Sequence, residues 1–216
     1  MLLKDVVRAW LKKYSFGFLS IWHILRSDSF LIKKGWFKSY RNNTPMDREG
    51  NPLPWISYSM INFLEGRLTK DMKVCEYGAG QSTLWFSSKV KSVISIEHSQ
   101  EWYELINNKL PDNCELHCKS LEDNSYQNKI LEFEKYFDVV LIDGRERVQA
   151  LENCISALKD DGVIVFDNSN RLRYQDGLKK VQEKGFKRID FYGMGPTDAV
   201  LFATSVLYRS NNCFGM

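Results

Sequence analysis

The chain has no run of apolar residues long enough to cross a bilayer. Its longest, Phe16 to Leu25, is interrupted by Gly17, Ser20 and His23 and is shorter than the ~20 residues a spanning helix needs. No small-x-small cleavage pattern follows that run; Arg26-Ser27-Asp28 stand there instead, which argues against a secretory leader. Cysteine is sparse. Cys75, Cys114, Cys118, Cys154 and Cys213 are odd in number and include no C-x-x-C, so neither a disulfide framework nor a ribbon-type metal site is expected. Cys75 and Cys154 fall in apolar patterns as small core residues, and an alternating strand accounts for Cys114, His117 and Cys118. A reducing, cytoplasmic setting fits this usage. His23, His98 and His117 make no visible triad, and the chain has no internal repeat or low-complexity segment.

What is present divides by charge. Residues 1–41 hold nine basic side chains (Lys4, Arg8, Lys12, Lys13, Arg26, Lys33, Lys34, Lys38 and Arg41) against Asp5 and Asp28, a local charge of +7. The remaining 21 basic and 25 acidic residues leave −4. Trp10, Tyr14, Phe16, Phe18, Trp22, Phe30, Trp36, Phe37 and Tyr40 crowd the same segment. Leu3, Val6, Val7, Trp10, Leu11 and Tyr14 recur at helical spacing, which predicts one or two amphipathic helices over residues 1–45. Such a segment packs on the main domain or a second subunit, or rests peripherally on the inner face of an anionic membrane. Residues 46–216 form the expected main domain.

Within that domain a helix is expected from Trp55 to Leu68, after the turn signals Asn51-Pro52 and Pro54. From Lys73 onward strands and helices alternate. Strands are expected at 74–77, 92–97, 114–118, 137–143 and 162–167, with helices at 83–88, 100–110, 148–158 and 175–184; residues 124–135 read as irregular or helical. The apolar, β-branched strands in the middle imply a parallel sheet covered on both faces. The last two strands, "FKRIDFYG" and "DAVLFATSVLY", have no helix between them and so pair as an antiparallel hairpin.

The chemistry concentrates at "EYGAGQST". A strand ending in Gly78-Ala79-Gly80 lets the backbone turn sharply and approach a ligand. The helix that follows presents free amides, with Ser82 as expected N-cap and Thr83 beside it. Glu97 ends the next strand, where an acid takes the ribose hydroxyls of a nucleoside. Position 83 is threonine, so the third glycine of a dinucleotide fingerprint is missing. Glu76, two residues before the first glycine, would repel a pyrophosphate but attract an ammonium group. S-adenosylmethionine carries both the nucleoside and the ammonium.

These residues resemble those of the class I S-adenosylmethionine-dependent methyltransferases over about residues 50–208. "EYGAGQST" is similar to that family's first motif, "SIEH" to its acidic second motif, "VVLIDG" to the fourth-strand motif and "DDGVIVFDN" to the fifth. The resemblance implies an α/β, Rossmann-like seven-stranded sheet, mostly parallel with a terminal antiparallel hairpin. It implies that Glu76 reaches the methionine ammonium indirectly, that Gly78 and Gly80 line the methionine portion, that Glu97 holds the ribose, and that His98 and Leu121 flank the adenine. Lys119-Ser120-Leu121-Glu122 departs from the family's third motif. Trp55, Trp85 and "IDGRERV" resemble bacterial methyltransferases of surface-polysaccharide gene clusters.

Methyl transfer needs in-line attack by an acceptor and, for a hydroxyl, loss of one proton. Asp143 is the candidate catalytic residue. Asp143, Asp167 and Asn168 stand where some O-methyltransferases of the superfamily hold Mg²⁺. Arg145 and Arg147, with Trp55, are the candidate acceptor-binding residues, and Arg171, Arg173 and Tyr174 share the rim; two guanidiniums suit an anionic acceptor. The expected acceptor is a small molecule or saccharide, through a hydroxyl oxygen. Nucleic acid is not an expected partner, because the catalytic domain is net acidic and has no N-P-P-Y motif. An aminopropyl-transferring enzyme and a non-enzymatic adaptor of the same fold are the alternatives.

Overall fold

Strand β4 (Phe137–Ile142) is buried at every residue, and the rest of the molecule is arranged around it. The computed structural model describes residues 3–14 and 17–216. Four short helices come first: α1 (Leu3–Tyr14), α2 (Phe18–Leu25), α3 (Phe30–Lys33) and α4 (Trp36–Asn42). Helix α5 (Tyr58–Glu65) leads into β1 (Lys73–Tyr77), α6 (Gln81–Ser87), β2 (Ser92–Glu97), α7 (Gln100–Asn107) and β3 (Cys114–Cys118). Then follow α8 (Ser125–Asn128), β4, α9 (Arg147–Ala157), β5 (Leu158–Asp167), α10 (Gln175–Glu183), β6 (Lys187–Gly193) and β7 (Phe202–Tyr208). The seven strands form one sheet in the order β3-β2-β1-β4-β5-β7-β6. Strands β1 to β5 run parallel, and β7 is antiparallel to both β5 and β6.

Period-two alternation divides the strand residues between two cores. Cys75, Tyr77, Ile94, Val140, Ile142, Ile164 and Phe166 point to one face, under α8, α9 and α10. Val74, Val93, Val139, Leu141, Val163 and Val165 point to the other, with Ile56, Met60, Ile61 and Leu64 around α5 and with Trp85 and Phe86 of α6. Because both faces are covered, the strands read as continuous apolar runs.

Several expected boundaries move, each for a local reason. The helix expected from Trp55 starts at Tyr58, because the Ser57 hydroxyl accepts the Met60 N–H at 3.3 Å and caps it there. The Ser57 N–H is itself held by Thr204 Oγ1 at 3.3 Å. Trp55 is thereby left outside the helix. Ser82 is not an N-cap: α6 begins at Gln81, and the Thr83 hydroxyl accepts the Gly80 N–H at 3.0 Å. Residues 198–201 are not strand, since Asp198 is turned aside by two tryptophans: Trp55 Nε1 donates to its carboxylate at 3.2 Å and Trp36 Nε1 to its carbonyl at 3.4 Å. Residues 124–135 fold as α8 and a short 3-10 turn, 129–132. Phe16, counted among the aromatics of the N-terminal segment, lies outside the described residues. Beyond Phe30 that segment is tied down: Phe30 packs edge-on against Tyr58, and the Ser39 hydroxyl donates to Met46 O at 2.6 Å.

The strand order reverses between β1 and β4, and the loops leaving these two strands meet there. Gly78 has φ 91°, and a Cβ on it would lie 3.3 Å from the Gly144 Cα. A Cβ on Gly144 would overlap the Tyr126 hydroxyl and lie 3.0 Å from Gly78 N. Gly144→Ala therefore forces the two loops apart and is expected to destabilise the protein by about 1–3 kcal/mol, read from urea unfolding. Adding Tyr126→Phe removes the overlapping oxygen and recovers part of the loss. A Gly144→Ala protein as stable as the parent would refute the close approach.

Candidate active site

The loop after β1 is fixed from below and from the side. Glu76 is fully buried beneath it. Its Oε1 accepts the Ser95 hydroxyl at 2.6 Å and the Thr83 hydroxyl, while Oε2 is buried with no partner. Burial, only partly offset by those hydroxyls, raises its pKa from 4.5 to about 7. Thr83 thus links the acid to the loop, donating to Glu76 and accepting from Gly80. Ser82 has no hydrogen bond that fixes it as a cap.

From the side, Glu97 holds three backbone amides. Oε2 accepts Ala79 N–H at 3.0 Å, and Oε1 accepts His98 and Ser99 N–H, each at 2.8 Å. A carboxylate offers about four acceptor directions, so one remains. His98 Nδ1 lies 2.8 Å from Glu97 Oε1 but without hydrogen-bond geometry, and its ring stands edge-on to Tyr126 at 5.8 Å. Leu121 packs, partly buried, against the core below. Trp102, not singled out in the sequence, donates its Nε1–H to Ala79 O at 2.5 Å. Tyr126, also unforeseen, receives the Arg145 N–H at 3.3 Å and stacks edge-on with Tyr77. Ser95 carried a faint signal, as a hydroxyl between Ile94 and Ile96 in the middle of a buried strand.

Across the Gly78–Gly144 contact lies a cavity of about 570 Å³, lined by Trp55, Asp143, Asp167, Asn168, Asn170, Arg171, Asp198 and Val200–Phe202. Asp143, just past β4, and Asp167, the last residue of β5, meet on its floor. Burial and the neighbouring Asp167 charge raise the Asp143 pKa well above the carboxylate range, with Arg147 opposing. Burial also raises Asp167, against the Thr204 hydroxyl and Arg147; that hydroxyl donates to Asp167 Oδ1 at 2.6 Å. Two adjacent buried carboxyls share a proton more readily than both ionise. The Asp143 side chain keeps 24% exposure toward the cavity, against 3% for Asp167.

Arg147 corrects two expectations. It was expected to hold the acceptor, yet its side chain is 10% exposed and its donors all turn inward. Nε donates to Gly144 O at 2.9 Å, Nη1 to Asp167 O at 2.6 Å, and Nη2 to Asp143 O at 2.9 Å and Asp143 Oδ1 at 2.8 Å. Nη1 is also 3.5 Å from Asp167 Oδ2. This guanidinium supplies the positive charge that Mg²⁺ was expected to bring to Asp143, Asp167 and Asn168. Among the described residues no group of three or more His, Cys, Asp or Glu could hold a metal, so Mg²⁺ has no support here. Asn168 lines the cavity with φ 53°. Arg145 is exposed at the loop. Arg173 stacks on Tyr174 at 4.8 Å, which leaves Arg171 as the arginine that lines the cavity.

The Glu76 shift has a sign that can be checked. A folded-state pKa above the unfolded 4.5 means folding favours the neutral acid. The contribution is fully present below pH 4.5 and is lost as pH rises through about 7. The full swing is about 3 kcal/mol at ~1.4 kcal/mol per pKa unit. Urea unfolding of Glu76→Gln at several pH values, subtracted from the parent, isolates this group from Asp143 and Asp167. A parent-minus-variant difference that stays flat from pH 4.5 to 7.5 refutes the assignment.

The comparisons with known proteins bear on the domain and its fold. Residues 75–169 match a family model described as a methyltransferase domain. No curated protein matches the chain. Among solved structures, the precorrin-6y C5,15-methyltransferase of Geobacter metallireducens GS-15 is 16% identical over 70% of this chain and 87% of that one, with a TM-score of 0.54. An rRNA methylase of Streptococcus thermophilus is 13% identical over 69% of this chain and 93% of its own, at 0.51. The spermidine synthase of Thermotoga maritima is 16% identical over 68% of this chain, at 0.51, and the match spans 55% of that enzyme's length. Identities this low carry the fold alone. The matched domain, the reversed last strand and the glycine loop together give residues 75–169 the character of a methyltransferase domain, set in a Rossmann-like methyltransferase fold.

Proposed function

We propose that the protein transfers a methyl group from S-adenosylmethionine to a hydroxyl of a small molecule or saccharide, with Asp143 receiving the hydroxyl proton. The observation that carries this reading is the carboxyl pair Asp143–Asp167 on the cavity floor, across the Gly78–Gly144 contact from Glu97. S-adenosylmethionine, when bound, supplies a methyl on a sulfonium, and the chain's own residues do the rest. Glu97 offers its remaining acceptor direction to a ribose hydroxyl. Glu76 keeps a bare Oε2 below the loop, and a bound ammonium nearby would favour its ionised form and draw its raised pKa back down. The loop amides of Gly78 to Gly80 bound the methionine portion, and His98 and Leu121 stand on the adenine side. Arg147 holds Asp143 in one orientation while opposing its upward shift. A general base works best with a pKa near the operating pH, and a raised Asp143 moves in that direction. Trp55 offers a half-exposed indole face beside the amides of Asn168 and Asn170, a surface suited to a sugar ring. Arg171 is the arginine available to an anionic group on the acceptor.

One observation favours a second reading. Asp143, Asp167 and Asp198 line the cavity against one arginine, a balance suited to an amine, as in aminopropyl transfer from decarboxylated cofactor. A transfer screen over sugars, nucleotide sugars, phenols and diamines separates the two. Methylation of hydroxyl compounds supports the first reading; aminopropylation of a diamine supports the second. With the accepted substrate, Asp143→Asn is expected to lower kcat by roughly 10²–10⁴-fold with cofactor affinity by calorimetry little changed. An unaltered kcat would remove Asp143 from proton transfer.

A further inference from the structure

Helix α2 has an apolar face that stands exposed among the described residues. Ile21, Trp22, Ile24 and Leu25 are 54%, 56%, 44% and 56% exposed. At 100° per residue these four positions span one broad face, and the exposed Ser20 and His23 take the opposite side. On α1, Val6, Val7 and Trp10 repeat the pattern at 45%, 48% and 60% exposure, with Lys4 exposed away from them. Helix α2 has eight residues, about 12 Å of helix, and no described helix is long and apolar enough to cross a membrane.

Its surroundings are cationic. Residues 1–41 carry +7, while the rest of the chain carries −4. Arg26, just past α2, sets its guanidinium 5.3 Å from the Trp22 ring centre and pairs with Asp28 at 3.1 Å, and exposed Lys33, Lys38 and Arg41 follow on α3 and α4. Aromatic and branched apolar side chains on one face, bordered by cations, match the boundary between acyl chains and anionic headgroups. A second copy meets this face badly, because each partner brings the same +7. We infer that α1 and α2 dock the protein on an anionic lipid surface, with Ile21, Trp22, Ile24 and Leu25 entering the headgroup boundary. Helix α4, further along the same segment, reaches the cavity wall: Trp36 donates to the Asp198 carbonyl, and the Asp198 carboxylate accepts from Trp55 there.

The test uses the full chain and sedimented vesicles of phosphatidylcholine alone or with about 30% phosphatidylserine. Binding is expected to the anionic vesicles, weakening as salt is raised to about 0.5 M. The double variant Ile21→Ser/Trp22→Ser is expected to bind roughly tenfold more weakly, while its thermal unfolding and its calorimetric affinity for S-adenosylmethionine stay those of the parent. Equal binding to both vesicle types, or no binding, overturns the inference. So does a concentration-dependent dimer in sedimentation equilibrium that the same double variant dissolves, since a second copy would then be the occupant.

Discussion

Arg147 joins the ends of two neighbouring strands. Its donors reach Asp143 and Gly144 beyond β4 and Asp167 at the end of β5, so one side chain fixes where the chain leaves both strands. It also makes the site electrostatically possible. Asp143 and Asp167 are brought together by the sheet register, and two such acids without a cation would repel or lose their charge altogether. In return they raise the pKa of Arg147 more than burial lowers it. The floor of the cavity is therefore a closed unit of two acids, one guanidinium and the Thr204 hydroxyl.

A second unit stands on the other side of the Gly78–Gly144 contact and works through backbone amides. Glu97 gathers three N–H groups from its own strand end and from the loop after β1. Glu76 lies below, joined to the same loop through Thr83. Trp102 closes the loop from α7 through the Ala79 carbonyl. Every member sits at the carboxyl end of a strand or the start of the helix that follows, so the doubly wound sheet alone brings them together. The glycine pair between the two units leaves room for neither side to shift independently.

The N-terminal helices follow different rules. Residues 30–45 are packed onto the domain through Phe30, Trp36 and Ser39, whereas the described side chains of 20–28 are all exposed. Cations and aromatics are spread over both parts of the segment. The catalytic domain keeps the opposite net charge.

Much of the fold could be read along the chain because it rests on local periodicity. Buried apolar runs gave the parallel strands, and two strands without an intervening helix gave the antiparallel end. "EYGAGQST" and "SIEH" placed the acids and glycines at strand ends, since a turn needing φ 91° favours glycine and a strand end is a fixed address. Charge partners were less legible. Arg145 and Arg147 look equivalent in "DGRER", yet one is exposed and the other is consumed by oxygens of β4 and β5. Trp102, Thr204 and Asp198 reach the site from distant positions, and nothing in their own neighbourhoods marks them. The sequence by itself determined which residues could carry the chemistry and which strands would present them, because side-chain type and hydrophobic period are local properties. Only the tertiary structure decided which charges neutralise each other and which remain for a ligand, because that depends on strand register and on loops separated by tens of residues.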